Sequence, residues 1–149
     1  DRVASWVDAA VQGGGRLAAG GKRTGSTLYQ PTVLVDPPDD ADVSRKEVFG
    51  PVVCIYGYDD VEAAIGQANA LPYAFQAAVF TDRMSWADYC VETLAASAVM
   101  VNDHTAFRVD WMPFAGRRQS GLGTGGIGYT MADMSEEKMV VVNAPSSVR

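Results

Sequence analysis

The sequence is poor in the residues that build disulfide frameworks and metal sites. Its 149 residues include two cysteines, Cys54 and Cys90, and a single histidine, His104. Two cysteines are too few for a disulfide framework, although one bridge between them stays open. These three side chains form no metal-ligand spacing, so we expect no metal. With so few cysteines, the reducing cytoplasm is the expected compartment.

Long apolar segments and an excess of basic charge are missing as well. No uninterrupted apolar stretch approaches the roughly 18–20 residues that cross a bilayer, so we expect no membrane partner. The formal net charge is −6 at pH 7. No basic stripe carries interleaved aromatic residues, which argues against a nucleic-acid partner. No initiator Met or basic-apolar leader precedes Asp1, so we expect a fragment or a processed chain.

Apolar and charged residues are present in the proportions of a soluble domain, 48% and 20%, and strand-like and helix-like segments alternate along the chain. The apolar spacing predicts a helix over 2–12, and β-prone residues predict a strand over 16–19. The central segments are a strand over 51–58, a helix from 61 to about 69, a strand over 76–81, a helix after Asp82 and a strand over 98–101. This alternation predicts an α/β fold with a mainly parallel sheet and flanking helices.

Three finer expectations follow from the same pattern. The nearly continuous apolar run over 51–58 is typical of a strand buried on both faces. Asp59 and Asp60 are placed to cap the helix that follows, and Asp82 is placed to cap the next one. Towards the end, a short helix is expected over 129–134 and a final strand over Lys138–Val142.

Glu47 and Phe49 stand where a polar loop becomes a strand, just before Gly50 and Pro51. An ionised Glu47 has two acceptor oxygens and could hold the vicinal hydroxyls of a ribose. Phe49 could lie against a nicotinamide face. The alternative is a solvated acid next to a core ring, and spacing alone leaves both interpretations open.

A long irregular segment, 103–128, follows the strand that ends before Asn102. Carboxyl ends of strands in α/β sheets commonly carry function, which makes Asn102 a candidate site residue. The segment then supplies an apolar wall, with Phe107 and Phe114, and one cation, Arg108. A guanidinium among aromatic rings can bind a carboxylate or phosphate through two hydrogen bonds. The alternative is an ion pair between Arg108 and Asp110, and the two have equal weight here.

Two other patterns carry less. Gly121-x-Gly123-x-x-Gly126 has the form of a dinucleotide-binding fingerprint, but no strand precedes it, so a flexible surface turn is the favoured interpretation. Cys54 falls inside a predicted strand and Cys90 inside a predicted helix, where thiols are usually inert. We therefore expect neither cysteine to be a nucleophile.

Taken together, these residues resemble the C-terminal part of the NAD(P)-dependent aldehyde dehydrogenase superfamily. The matching segments follow the order of the family over essentially the whole chain. They are Gly20-Gly21, Gln30-Pro31-Thr32-Val33, Lys46-Glu47-Val48-Phe49-Gly50-Pro51-Val52, Ala68-Asn69, Ala78-Val79-Phe80-Thr81, Val101-Asn102, Pro113-Phe114-x-Gly116, Ser120-Gly121-x-Gly123 and Glu137-Lys138. Departures occur at Ala74-Phe75, where the family favours Gly-Leu, at Ala115, and at Thr124-Gly125, where it favours Arg-Glu.

The resemblance implies roles for particular residues. It implies that Glu47 binds the nicotinamide ribose of NAD or NADP and that Phe49 contacts the nicotinamide. It implies, more loosely, that Asn102, Phe107 and Phe114 line the aldehyde tunnel. The form of the loop is similar to members that act on short, often anionic aldehydes, and in some of these the arginine matching Arg108 holds the anion.

The resemblance also implies an incomplete, aldehyde dehydrogenase-like catalytic domain over 1–136, with an oligomerisation strand and tail over 137–149. In the family a cysteine thiolate attacks the aldehyde, hydride passes to NAD(P), and a thioester is hydrolysed to the acid. The nucleophile segment, the general-base glutamate and the Rossmann segment of the family are missing from this sequence, so we expect no catalytic residue here and no activity of the isolated chain. A homo-dimer or homo-tetramer is implied. The rival hypotheses are a non-catalytic oligomerisation or binding module and a small nucleotide-binding domain that uses the glycine run.

Overall fold

The computed structural model describes residues 1–143. The chain divides into two compact units, Asp1–Pro72 and Tyr73–Arg149, and each is described by itself. The division that the resemblance implies, at residue 136, is a different one and stays a prediction. No helix within residues 1–143 combines the length and the apolar character that crossing a bilayer requires.

The first unit is a three-stranded sheet with helices α1 and α2 packed on one face. Its elements are α1 (Arg2–Gln12), β1 (Arg16–Ala19), β2 (Thr32–Val35), α2 (Asp42–Arg45), β3 (Val52–Ile55) and α3 (Val61–Asn69). Strand β2 is central, antiparallel to β1 and parallel to β3. The core joins Val7 and Ala10 of α1, Leu34 of β2 and Val43 of α2. The predictions for α1 and β1 are confirmed with the same bounds.

Strand β3 differs from its prediction as a strand buried on both faces. Val52 and Cys54 pack against the core of the unit, but Val53 is 58% exposed and Ile55 is 48% exposed. The reason is that α1 and α2 cover one face of the sheet, so alternate side chains of β3 face solvent. In this chain, the apolar run therefore forms a strand with only one covered face.

Within residues 73–143, the second unit contains two separate strand pairs. Its elements are β4 (Tyr73–Ala74), β5 (Gln76–Val79), α4 (Met84–Thr93), β6 (Ala98–Val101), β7 (Arg117–Arg118) and α5 (Ile127–Asp133). Strands β5 and β6 are parallel, as predicted, and β4 and β7 are antiparallel. The backbone N–H of Ala74 also donates to Ser120 Oγ at 3.0 Å, which ties β4 to the chain just after β7.

The two predicted helix caps have different outcomes. Asp60 is the N-cap of α3, where its carboxylate accepts from the backbone N–H of Glu62 at 3.0 Å, as predicted. The prediction that Asp82 caps α4 is wrong, because the N-cap residue is Arg83 and no side chain caps it. Thr81 Oγ1 instead accepts from the backbone N–H of Arg83 at 3.1 Å, which shapes the start of the helix.

The last described segment has no regular structure in the single chain. Residues Lys138–Val142, predicted as a strand, form none here, because none of residues 1–143 pairs with them. The side chains of 139–142 are between 72% and 89% exposed. Pairing of this segment with a neighbouring subunit stays a prediction.

Candidate functional site

Glu47 and Phe49 lie in the first unit, on the turn that joins α2 to β3. Val48 between them packs against the core, and its carbonyl accepts from Arg2 Nη2 at 3.0 Å. With Val48 turned inward, the side chains on either side of it are exposed. The turn therefore presents a carboxylate and a ring to solvent on a backbone that is anchored by the residue in the middle.

Phe49 has a backbone conformation that large side chains rarely adopt. Its φ is +47°, in the left-handed region, and its ring is 77% exposed. A strained residue with an exposed ring contributes little to folding, and strain of this kind clusters at ligand sites. Phe49 also forms part of the wall of a cavity of about 550 Å³ with Leu28 and Tyr29, whereas Glu47 lies outside that wall.

Asn102 follows β6 in the second unit, and both polar atoms of its side chain form hydrogen bonds within the protein. Its Oδ1 accepts from the backbone N–H of Thr81 at 2.8 Å, and its Nδ2 donates to the carbonyl of Thr81 at 2.9 Å. Its own backbone N–H donates to the carbonyl of Val79 at 2.7 Å, and its φ is +57°. The amide thus holds the start of the loop, and a direct contact of Asn102 with substrate stays a prediction.

Arg108 stacks on Phe114, and the structure brings these two predicted site residues together. The guanidinium carbon lies 4.3 Å from the ring centroid, which is a close cation–π contact. Among residues 1–143, no carboxylate forms an ion pair with Arg108. The alternative pairing with Asp110 is therefore not formed, and the hydrogen-bonding edges of the guanidinium are left for another acceptor.

The surroundings of Arg108 form an open depression. Arg108 and Asp110 line a cavity of about 600 Å³ together with Met131 and Met134 of the α5 segment. The Phe107 ring, by contrast, stacks on no other aromatic ring and on no cation within residues 1–143. Its backbone N–H donates to the carbonyl of His104 at 3.1 Å. The assignment of Phe107 to the aldehyde tunnel stays a prediction.

The glycine run closes the far end of this loop. Phe114 and Gly125 form an antiparallel bridge of two backbone hydrogen bonds, with distances of 3.0 and 2.8 Å between nitrogen and oxygen. Gly126 has φ +120°, and a Cβ there would lie 2.7 Å from the carbonyl oxygen of Met112. These glycines permit close backbone approach, and β7, which precedes them, pairs antiparallel with the distant strand β4. The βαβ setting of a dinucleotide fingerprint is therefore not formed around them.

The two cysteines have the surroundings of structural thiols. Cys54 and Cys90 are both free, and Cys90 is buried. Cys54 Sγ donates a weak hydrogen bond to the carbonyl of Val43 at 3.8 Å. Burial raises the pKa of the Cys54 thiol above its usual value, which keeps it in the less nucleophilic protonated form. Within residues 1–143 no group of three or more His, Cys, Asp or Glu side chains is placed to hold a metal ion.

Comparison with known proteins decides the family. The family model described as "Aldehyde dehydrogenase family" matches residues 1–140. The chain belongs to the aldehyde dehydrogenase family. Its sequence is 40% identical over 143 residues to the 3-sulfolactaldehyde dehydrogenase of Priestia aryabhattai and 38% identical over 143 residues to the lactaldehyde dehydrogenase of Methanococcus aeolicus. Both alignments cover 96% of this chain and 30% of the relative, so the chain spans about a third of the length of these relatives.

Solved aldehyde dehydrogenase structures have the same fold over this region. Aldehyde dehydrogenase 21 from Physcomitrella patens, in complex with the reaction product succinate, has a TM-score of 0.88 at 37% identity and covers 99% of this chain and 30% of its own. Glyceraldehyde-3-phosphate dehydrogenase from Methanocaldococcus jannaschii, with NADP, has 0.83 at 36%, covering 90% and 29%. An aldehyde dehydrogenase from Bacillus cereus, with NAD+, has 0.85 at 32%, covering 97% and 30%. The α/β fold is thus part of an aldehyde dehydrogenase catalytic-domain fold.

Two residues around the candidate site were missed by sequence reasoning. Thr81 belongs to a segment that resembles the family, but nothing in the sequence indicates that it pairs with Asn102. The signal available for Phe75 is its departure from the leucine that the family favours, and in the structure its ring packs against Phe114. Both contacts join residues that are distant along the chain, which local patterns do not reveal.

Proposed function

We propose that this chain is the C-terminal part of the catalytic domain of an NAD(P)-dependent aldehyde dehydrogenase that oxidises a short anionic aldehyde to an acid. The observation that carries the substrate class is Arg108, stacked on Phe114 without a carboxylate partner among residues 1–143. Two of the similar proteins agree with an anionic group: 3-sulfolactaldehyde carries a sulfonate, and succinate carries two carboxylates. The name lactaldehyde, a neutral compound, marks the competing substrate class.

The proposed role of Arg108 is to hold the anionic end of the substrate. A guanidinium offers two parallel N–H donors to a carboxylate, sulfonate or phosphate. The Phe114 ring beneath it removes water from one face, which strengthens such a contact. Arg108 thereby orients the aldehyde end of the substrate, while the covalent chemistry belongs to a cysteine outside this chain.

The proposed role of Glu47 and Phe49 is to hold the nicotinamide end of the coenzyme. The turn fits such a group, because it offers an exposed carboxylate and an exposed ring two residues apart. The coenzyme supplies the hydride acceptor of the oxidation. Glu47 would accept hydrogen bonds from ribose hydroxyls, and Phe49 would limit the positions of the nicotinamide ring.

The exposed segment Lys138–Val142 would pair with a neighbouring subunit in a dimer or tetramer.

The substrate assignment is tested in the full-length protein with two aldehydes of equal length, one with a terminal anionic group and one neutral. Arg108→Ala is expected to lower kcat/KM for the anionic aldehyde by about tenfold or more, since hydrogen bonds to charged groups contribute about 1.5–3 kcal/mol. The neutral aldehyde should change little. Arg83→Ala is the matched control, because Arg83 also stacks on a ring, that of Trp86 at 5.6 Å. Equal losses for both aldehydes would contradict the assignment.

The isolated chain is expected to have no dehydrogenase activity, because the nucleophile of the proposed reaction lies outside it. An assay with short aldehydes and NAD or NADP measures this directly. Turnover that disappears on substitution of Cys54 or Cys90 would show that this chain carries its own nucleophile and would refute the proposal that the nucleophile lies elsewhere.

A further inference from the structure

Phe75 packs edge-on against the ring that supports Arg108. The ring centroids of Phe75 and Phe114 are 5.0 Å apart and their planes are 89° apart, a T-shaped pair. The Arg108 guanidinium lies over the same Phe114 ring at 4.3 Å. The Phe114 ring therefore contacts both Phe75 and Arg108, while Phe75 makes no described contact with Arg108 itself.

Phe75 is attached to a more ordered part of the second unit than Arg108 is. It lies between β4 and β5, and its carbonyl accepts from both the backbone N–H of Ser97 at 2.7 Å and Ser97 Oγ at 2.6 Å. Arg108 lies on the irregular loop that follows Asn102. The Phe75 backbone is thus tied to the start of β6, and the Phe114 backbone is tied to Gly125. Arg108 lies between Asn102 and Phe114 on chain that belongs to no strand, so the Phe114 ring is the support that its guanidinium contacts.

We infer that Phe75 is a positioning residue for Arg108: it fixes the plane of the Phe114 ring, and that ring fixes the plane of the guanidinium. This inference rests on the proposed function, in which Arg108 binds the anionic group of the substrate. A planar guanidinium binds an anion through two N–H donors when its plane is aligned with the acceptor oxygens. A guanidinium free to tilt keeps its charge but loses one of the two hydrogen bonds, so Phe75 governs substrate affinity without touching the substrate.

The experiment uses the full-length protein and the same pair of anionic and neutral aldehydes. Phe75→Leu removes the ring and keeps an apolar side chain, while Phe75→Tyr keeps the ring. Phe75→Leu is expected to raise KM for the anionic aldehyde about three- to tenfold, the range of an aromatic pair, with kcat nearly unchanged. KM for the neutral aldehyde should not follow, and Phe75→Tyr should restore the original KM. Phe75→Met replaces Phe75→Leu if that variant does not fold.

A double variant separates this inference from the proposed function. With Arg108→Ala already present, Phe75→Leu should have no further effect on the anionic aldehyde, because the group it positions is gone. If Arg108→Ala discriminates between the aldehydes but Phe75→Leu raises both KM values equally, leaves both unchanged or adds fully to Arg108→Ala, the positioning role is overturned and the proposed function stands. If Arg108→Ala itself does not discriminate, both are overturned.

Discussion

The side chain of Asn102 joins the chain after β6 to the chain after β5, through two hydrogen bonds to the backbone of Thr81. The ladder of backbone pairs ends at Val79 and Val101. Beyond it, the Asn102 amide accepts from the N–H and donates to the carbonyl of the same residue, Thr81, an exchange of two hydrogen bonds that backbone groups make in antiparallel pairs. The origin of the loop that carries Arg108 is therefore fixed by a side chain.

Substitution of Asn102 separates this pairing from the backbone conformation. Asn102→Gly keeps the left-handed φ of +57° but loses both hydrogen bonds, and it should lower the free energy of unfolding by about 1–2 kcal/mol. Asn102→Ala adds the cost of a left-handed alanine and should lose about 1 kcal/mol more. Urea denaturation of the full-length protein measures both, with Asn143→Gly as a control in the exposed tail. Equal stability of the Gly and Ala variants would show that the backbone conformation is not maintained.

Glu47 and Phe49 are expected to affect coenzyme binding with little effect on folding, because both side chains are exposed. Glu47→Gln should lower the affinity for NAD or NADP about tenfold or more, which is the loss expected for charge-assisted hydrogen bonds. Phe49→Leu should weaken binding too, while the free energy of unfolding changes by less than about 0.5 kcal/mol. Coenzyme titration of the full-length protein measures the affinities. Tyr58→Leu, at another exposed ring, is the control, and an equal loss there would remove the special role of Phe49.

Cys54 should make the protein less stable at alkaline pH. Burial raises the pKa of its thiol above the usual 9.0, so the unfolded chain releases this proton at lower pH than the folded chain does. The contribution of Cys54 to stability is complete below the unfolded pKa and is lost as pH rises through the folded one. Burial raises the pKa of the neighbouring Tyr56 hydroxyl in the same direction. Between about pH 8 and pH 10, urea midpoints should therefore fall more for the wild type than for Cys54→Ala. Parallel pH profiles would refute this.

The exposed segment Lys138–Val142 should govern association of subunits. A charge at Val141, which is 83% exposed, would oppose burial of the segment against a neighbour but would disturb no contact within residues 1–143. Val141→Asp is therefore expected to shift a full-length dimer or tetramer towards monomer, as measured by light scattering over a concentration series. Leu122→Asp, at another fully exposed apolar residue, should not. Unchanged assembly in Val141→Asp would assign the interface elsewhere.

Some elements were predictable because their signals are local. Helix α1 has its apolar residues three and four apart and is followed by glycines, and β6 is a short apolar run that ends at Asn102, so both have the predicted bounds. The exposed face of β3 was not predictable, since the same apolar run fits a strand covered on one face or on both. What covers a face is decided by the rest of the fold.

The candidate site shows the same division. The types of its residues, an acid, aromatic rings and a cation, were visible in the sequence and in the resemblance to the family, but whether the cation pairs with Asp110 was not. The contacts that position them were not: Thr81 and Asn102 are 21 residues apart, and Phe75 and Phe114 come together through the tertiary fold. The capping prediction at Asp82 failed because α4 begins one residue later than predicted, after Arg83.

The hydrogen bond from Ala74 to Ser120 spans 46 positions and encloses β5, α4, β6 and the loop with Arg108. Contacts of such high sequence separation carry a large loop-closure cost and form late, after local helices and neighbouring strands. During synthesis, Ala74 leaves the ribosome well before its partner does. We therefore expect the segment proposed to select the substrate to be anchored at its far end only at a late stage of folding, so that the site around Arg108 would form after the strands and helices on either side of it.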